Sequence, residues 1–331
     1  MSRVGLVLGG GGVTGAAFHF GALLSLQMAT GWDPARSDVV VGTSSGAVVA
    51  AFVRSGSLDL EALVGDAHGE QEFAEALGGR LFVRTQTRRG VGRWLRHGLI
   101  PGLARPGISM ALGSPAPYTT DGIVDWLTSR LGDAAGAWPD EPTIIVAYCL
   151  EDKERVAFGT EGSPDVGLAT AAAASSAVPM IFQPVSIYDK RYVDGGVATG
   201  TSADLVLGGD PLDLLVVVAP MASVEVRPGA RRYEGVVDRL GGTALTAELD
   251  TVKAAWPDTD LVVLRPDVGV LEESRPNPLS PHAALPTFLR TLRSMRSRLA
   301  QPEIWSVLQR HLGPGTQRRR PLGRRRTADN R

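Results

Sequence analysis

The chain has 331 residues, of which 44% are hydrophobic and 21% charged, with a formal net charge of −1. That length holds one large domain or two modest ones with a sizeable core, and the near-neutral balance gives no electrostatic footprint for nucleic acid. A single cysteine, Cys149, excludes an internal disulfide framework and any cysteine-based metal cluster.

In chain order, Arg3 followed by an apolar stretch with Gly15-Ala16-Ala17 imitates a secretory signal. The consecutive glycines Gly9 to Gly12 would break the helical region such a signal uses, so a cytoplasmic protein is expected. Val4 to Leu8 reads as a buried strand, Gly9 to Gly15 as a glycine loop, and Ala16 to Ala29 as the helix that follows. Asp38 to Val41 is the next strand, Gly42-Thr43-Ser44-Ser45-Gly46 its turn, and Ala47 to Arg54 the next helix. Strand, turn and helix thus occur twice in succession, which predicts an α/β fold: a mainly parallel, doubly wound sheet with helices on both faces and its ligands at the carboxyl ends of the strands.

From about 58 to 117 the sequence is polar, glycine-rich and arginine-bearing, and is expected to form a cap or lid insertion with a helical piece at Glu70 to Leu77. Thr120 to Leu131 reads as a helix capped by Thr120 or Asp121. Thr143 to Leu150 reads as a central strand ending near a buried Cys149, in keeping with a reducing compartment. Asp165 to Ala174 reads as a small-residue helix, and Val185 to Ile187 with Arg191 to Val193 as a hairpin. Leu214 to Val218 and Leu261 to Leu264 are further buried strands, within a C-terminal α/β extension (205–313) expected to pack on the same sheet. His282 to Leu299 has apolar residues at helical spacing and four arginines around them, which fits a core-covering helix with a solvated basic face. Peripheral membrane contact is the alternative there. The basic tail, 314–331, is expected to be disordered, either solvating or drawn to anionic headgroups. The longest small-residue tract, Gly167 to Phe182, carries serines and a proline and does not read as a membrane span.

Gly42 to Gly46 fits G-x-S-x-G, in which glycines permit the crowding of a strand-to-helix elbow and the spacing presents Ser44 rather than Ser45. The plain alternative is a glycine turn with a capping serine. The earlier glycine loop offers unencumbered N–H groups at a helix N-terminus, suited to an oxyanion. It also matches G-x-G-x-x-G from Gly10 to Gly15, the dinucleotide fingerprint, but that site expects an acid at the end of the next strand, which here ends in Gly42-Thr43-Ser44. A serine needs a base. His19, His68, His97 and His311 fall in unpromising places, and His282 fits an α/β-hydrolase order whose fold needs more strands before its elbow. Asp194, in Val193-Asp194-Gly195-Gly196, is the better candidate.

With the glycine loop, G-x-S-x-G and D-G-G in this order, joined by Ala174-Ser175-Ser176-Ala177-Val178-Pro179, the chain resembles the patatin-like phospholipases over roughly 6–204. The resemblance implies a three-layer α/β sandwich and a Ser-Asp dyad without histidine. It makes Ser44 the nucleophile, Asp194 the base, and the N–H groups of Gly10, Gly11 and Gly12 the oxyanion hole, with Gly15, Gly42, Gly46, Gly195 and Gly196 as motif glycines. It implies a lipid acyl hydrolase acting on phospholipids, lysophospholipids or related lipids, with no cofactor, metal or calcium. A small-ester or thioester hydrolase and a non-enzymatic lipid- or partner-binding protein are the alternatives. A carboxylate base would need its pKa raised by desolvation, one reason to expect a lid. Thr14 stands where many family members carry Arg or Lys, which weakens the case for a phosphate-bearing substrate. No motif specifies an oligomeric state.

Overall fold

The computed structural model describes residues 2–58, 69–85 and 116–313. Most of the expected cap, with His68 and His97, and the basic tail lie outside the described residues.

The expected alternation is present. Strand β1 (Val4–Leu8) leads into helix α1 (Gly12–Thr30), and β2 (Val39–Thr43) into α2 (Ser45–Arg54). Helix α1 starts inside the glycine run rather than at Ala16. Glycine costs about 1 kcal/mol in a helix, but burial of Ala17, Phe18 and Phe20 against the sheet overrides that preference. Helix α3 (Glu70–Leu81) runs four residues beyond the expected Leu77, and β3 (Val83–Arg84) pairs with β4 (Tyr118–Thr119) in a small antiparallel ribbon. Helix α4 (Asp121–Leu131) has the expected extent, but neither Thr120 nor Asp121 caps it in the expected way. Thr120 sits at the N-cap with no side-chain cap bond, and Asp121 accepts from Thr119 Oγ1 instead.

The remaining sheet strands are β5 (Thr143–Cys149), β6 (Glu154–Phe158), the hairpin β7 (Val185–Ile187) and β8 (Lys190–Asp194), then β9 (Leu214–Val218) and β10 (Asp260–Leu264). Between them lie α5 (Leu168–Ser175) and α6 (Arg232–Ala255); α7 (Val268–Ser274), α8 (Ala284–Leu299) and α9 (Pro302–Leu312) close the described chain.

The main sheet has the order β10-β9-β1-β2-β5-β8-β7, with β6 also pairing β5. Strands β10, β9, β1, β2 and β5 are parallel, and the β6, β7 and β8 pairings are antiparallel. Alternate residues of the parallel strands feed two separate cores, which is why those strands read as continuous apolar runs. Leu6, Leu8, Val40, Ile145 and Val216 face the core built with α1, α2, α5 and α8. Val7, Val41, Ile144, Val146 and Val217 face the core beneath α6, with Leu245, Leu249 and Val252. The chain leaves β1 for one face and β9 for the other, so their carboxyl ends mark the point where an open α/β sheet binds ligands.

The register along β5 positions the site. Strand β6 occupies one edge of β5 from Ile145 to Cys149, so β2 and β8 share the other edge. Strand β2 runs parallel and ends with Thr43 opposite Val146; β8 runs antiparallel and ends with Asp194 opposite Ala147. Two strands of opposite direction therefore finish head to head, at consecutive positions of one neighbour.

Candidate active site

Ser44 is the residue after β2, at φ 55° and ψ −124°, a left-side conformation that costs a non-glycine residue about 1–3 kcal/mol. The elbow holds because the chain can come extremely close behind it. A Cβ on Gly46 would lie 2.0 Å from the Leu8 carbonyl oxygen, so only glycine lets α2 leave at this angle. The backbone of Ser44 is held on both sides by the serines before the hairpin. Its N–H donates to Ser175 Oγ at 2.8 Å, Ser175 Oγ donates to Val146 O at 2.5 Å, and Ser176 Oγ donates to the Ser44 carbonyl at 3.1 Å.

Ser44 Oγ donates to Asp194 Oδ2 at 2.6 Å, and the other carboxyl oxygen accepts the Gly196 N–H at 2.7 Å. Both side chains are buried, each 5% exposed. Burial pushes the Asp194 carboxyl up from 3.8 to about 6, against the hydrogen bonds from Ser44 and the Gly196 N–H, which pull it down.

The glycine loop lies against this pair: a Cβ on Gly10 would stand 3.2 Å from the Ser44 Cβ. Its N–H groups are unequal. Gly9 donates to Val218 O at 2.9 Å, and Gly10, expected in the oxyanion hole, donates instead to Gly200 O at 2.7 Å. The N–H groups of Gly11 and Gly12 meet no acceptor among the described residues. Beyond Ser44 opens an apolar cleft walled by Val13, Val48, Trp126, Val178 and Phe182, without a charged side chain among its described lining residues. Phe82, Tyr118 and Phe182 pack into an aromatic cluster at one wall, the Phe82 and Phe182 rings stacked with centroids 5.6 Å apart.

The family model of the patatin-like phospholipases matches residues 118–207, the stretch that holds β5, the Ser175-Ser176 pair and Asp194. Over these residues the chain is similar to the patatin-like phospholipases. The glycine loop and Ser44 precede the matched stretch. Among solved structures, VipD from Legionella pneumophila is similar, with 14% identity and a TM-score of 0.37 over 90% of this chain and 67% of that one. No curated protein matches the sequence.

The histidines among the described residues, His19, His282 and His311, take no part in the pair. His282 is exposed in a short 3-10 turn, and His311 bonds Asp260 and Ser2. His19 is fully buried with Nε2 2.7 Å from the Gly9 carbonyl oxygen, and burial lowers its pKa from 6.5 to about 4, so the ring is neutral. Thr14 is buried with its hydroxyl 3.5 Å from the Ser274 carbonyl oxygen, and so brings no charge to the loop. Cys149 is buried, as expected, and burial raises its pKa. Among the described residues no cluster of metal-ligating side chains occurs, and no helix is long and apolar enough to cross a membrane.

The Ser175-Ser176 pair, part of the stretch that carries the resemblance, shows its role only once the sheet brings it under the elbow. One contribution has no local signature. Gly200, which occupies the Gly10 N–H, follows the D-G-G turn in a stretch that carries no motif.

Proposed function

We propose that the chain is a serine hydrolase of lipid acyl esters, with Ser44 as nucleophile and Asp194 as base. The observation that carries this reading is the 2.6 Å hydrogen bond from Ser44 Oγ to a buried carboxylate, at the end of a strained elbow and beside an apolar cleft. Asp194 accepts the Ser44 proton as Oγ attacks the ester carbonyl carbon, and returns it to the departing alcohol. Water, deprotonated in turn by Asp194, then attacks the acyl-enzyme, and the fatty acid leaves as Ser44 Oγ departs and takes the proton back from Asp194. A carboxyl near pH 6 is a far better base at neutral pH than one at 3.8.

In this reading the oxyanion accepts hydrogen bonds from the N–H groups of Gly11 and Gly12, donors typically worth about 3–4 kcal/mol each. Gly10 supports them without donating. The acyl chain lies in the cleft, and residues 6–204 form the catalytic unit, with 205–313 completing its sheet. Contact with a lipid surface is peripheral, since the substrate must leave that surface to reach a recessed serine. An uncharged loop at Thr14 favours hydrolysis of acyl esters in general over recognition of a phosphate headgroup.

A fluorophosphonate probe tests the assignment. Wild type is expected to be labelled at Ser44 and Ser44→Ala to remain unlabelled while folded; equal labelling of the two removes Ser44 from the mechanism.

A further inference from the structure

One peptide unit of the glycine loop, the Gly9 carbonyl with the Gly10 N–H, is gripped at both polar ends by buried groups that no catalytic step uses. At one end His19, from α1, lies with Nε2 2.7 Å from the Gly9 oxygen. A carbonyl only accepts, so Nε2 carries the proton, and the other ring nitrogen has no partner among the described residues. At the other end the Gly10 N–H donates to Gly200 O at 2.7 Å.

The residues on either side of Gly200 are held by Glu248, which reaches in from α6 on the far face of the sheet. The Glu248 carboxylate is buried and accepts four hydrogen bonds from the segment around Gly200. Thr199 Oγ1 donates to it; so do Thr201 Oγ1 at 2.6 Å, Ser202 N–H at 3.2 Å and Ala203 N–H at 2.8 Å. Ser202 is thereby kept at φ 55°. The Thr201 methyl is seated against the loop, 2.9 Å from where a Cβ on Gly9 would stand, and Thr43 Oγ1 lies 3.5 Å from the Thr201 carbonyl oxygen. One side chain thus ties together the segment after Asp194, the residue before Ser44 and the glycine loop.

We propose that His19 and Glu248 are positioning residues that lock the Gly9–Gly10 peptide unit from opposite faces of the sheet and so aim the Gly11 and Gly12 N–H groups at the oxyanion. The inference rests on the hydrolase reading above. Glycines have no side chains to fix their own dihedrals, so the orientation of a glycine loop must come from what grips its backbone. An oxyanion hole is effective to the extent that its donors are oriented before the charge forms. Either grip alone leaves the peptide plane free to turn about the other, so the two act as a unit.

The test compares wild type with Glu248→Gln, His19→Phe, the double variant and Thr201→Val. Gln keeps the shape of Glu248 but turns an amide toward donors, Phe removes the Nε2 donor, and Val keeps the methyl on Gly9 while deleting one hydroxyl. Steady-state hydrolysis of a p-nitrophenyl ester is read beside inhibition by an alkyl trifluoromethyl ketone, which adds to the serine and creates the oxyanion. Expected are a fall in kcat of about tenfold or more in each of the first two variants, KM within about twofold, and a parallel loss of ketone affinity. The double variant should lose about as much as the worse single one, because both act on one peptide unit. Should Glu248→Gln not fold, Thr201→Val is expected to show a smaller change of the same kind. Folded variants with unchanged kcat, losses confined to KM, or losses that multiply in the double variant would overturn the proposal. A wild type without Ser44-dependent turnover would instead overturn the hydrolase reading itself.

Discussion

As the proposed base, Asp194 must be buried enough for a raised pKa and ionised enough to accept a proton, and the balance has a measurable sign. Burial raises its pKa from 3.8 to about 6 while the hydrogen bonds from Ser44 and Gly196 oppose the rise. Turnover per encounter, kcat/KM, is therefore expected to climb with pH through about 6, as the carboxylate forms. Stability moves the other way. The native state holds the proton more tightly than the unfolded chain, so its contribution is fully present below pH 3.8 and is lost as pH rises through about 6, a difference of roughly 3 kcal/mol. Asp194→Asn should accordingly abolish ester turnover, yet match wild type in denaturant stability near pH 4 and exceed it by about 2–3 kcal/mol at pH 8. Comparing the two proteins at each pH cancels the contribution of His19. Its depressed pKa gives stability that is present above pH 6.5 and lost as pH falls toward about 4. An Asp194→Asn protein less stable than wild type at pH 8 would mean that the ionised carboxylate is net stabilising.

At the scale of elements, the elbow depends on β1 and α2 meeting without side chains between them. Gly46→Ala would put a Cβ 2.0 Å from the Leu8 carbonyl oxygen and 2.8 Å from that of Gly9, both backbone atoms that cannot step aside. A loss of roughly 2–4 kcal/mol in denaturant stability is expected, together with loss of fluorophosphonate labelling. A folded, fully labelled Gly46→Ala protein would show that α2 can leave β2 at another angle. The same elements show what was legible in the sequence. Strands β1, β2, β5 and β9 were readable because each is an apolar run buried on both faces, and β10 because its apolar run, though only partly buried at Leu261 and Val263, is as continuous. The G-x-S-x-G and D-G-G turns were readable because close backbone approach leaves glycine as its mark. Helix α6 was not readable: its 24 residues include Gly235, Gly241 and Gly242 and several threonines, and its helicity comes from packing Leu245, Leu249 and Val252 onto the sheet. The occupation of the Gly10 N–H was equally hidden, because Gly200 reaches it across the fold. Local sequence marks where a backbone must be permissive, not which distant carbonyl will hold it.

At the scale of the whole molecule, the proposed hydrolase would draw its selectivity from the described lining of the cleft. The lining is apolar and carries no charged side chain among the described residues, Thr14 is buried, and the net charge of the chain is only −1. Selectivity should then come from hydrocarbon burial rather than from headgroup charge. Each methylene moved from water into an apolar cleft gains about 0.8 kcal/mol, close to fourfold in kcat/KM. A series of p-nitrophenyl esters of increasing acyl length should therefore rise by up to about that factor per methylene until the cleft is filled, and then level off. Because the gain is hydrophobic, the slope should persist at high salt, where an electrostatic preference would be screened. A monoacylglycerol and a lysophospholipid of the same acyl chain should differ by only a few-fold in kcat/KM. A flat chain-length profile would place the acyl group outside the cleft, and a large, salt-sensitive preference for the lysophospholipid would require a cationic subsite beyond the walls described around Ser44.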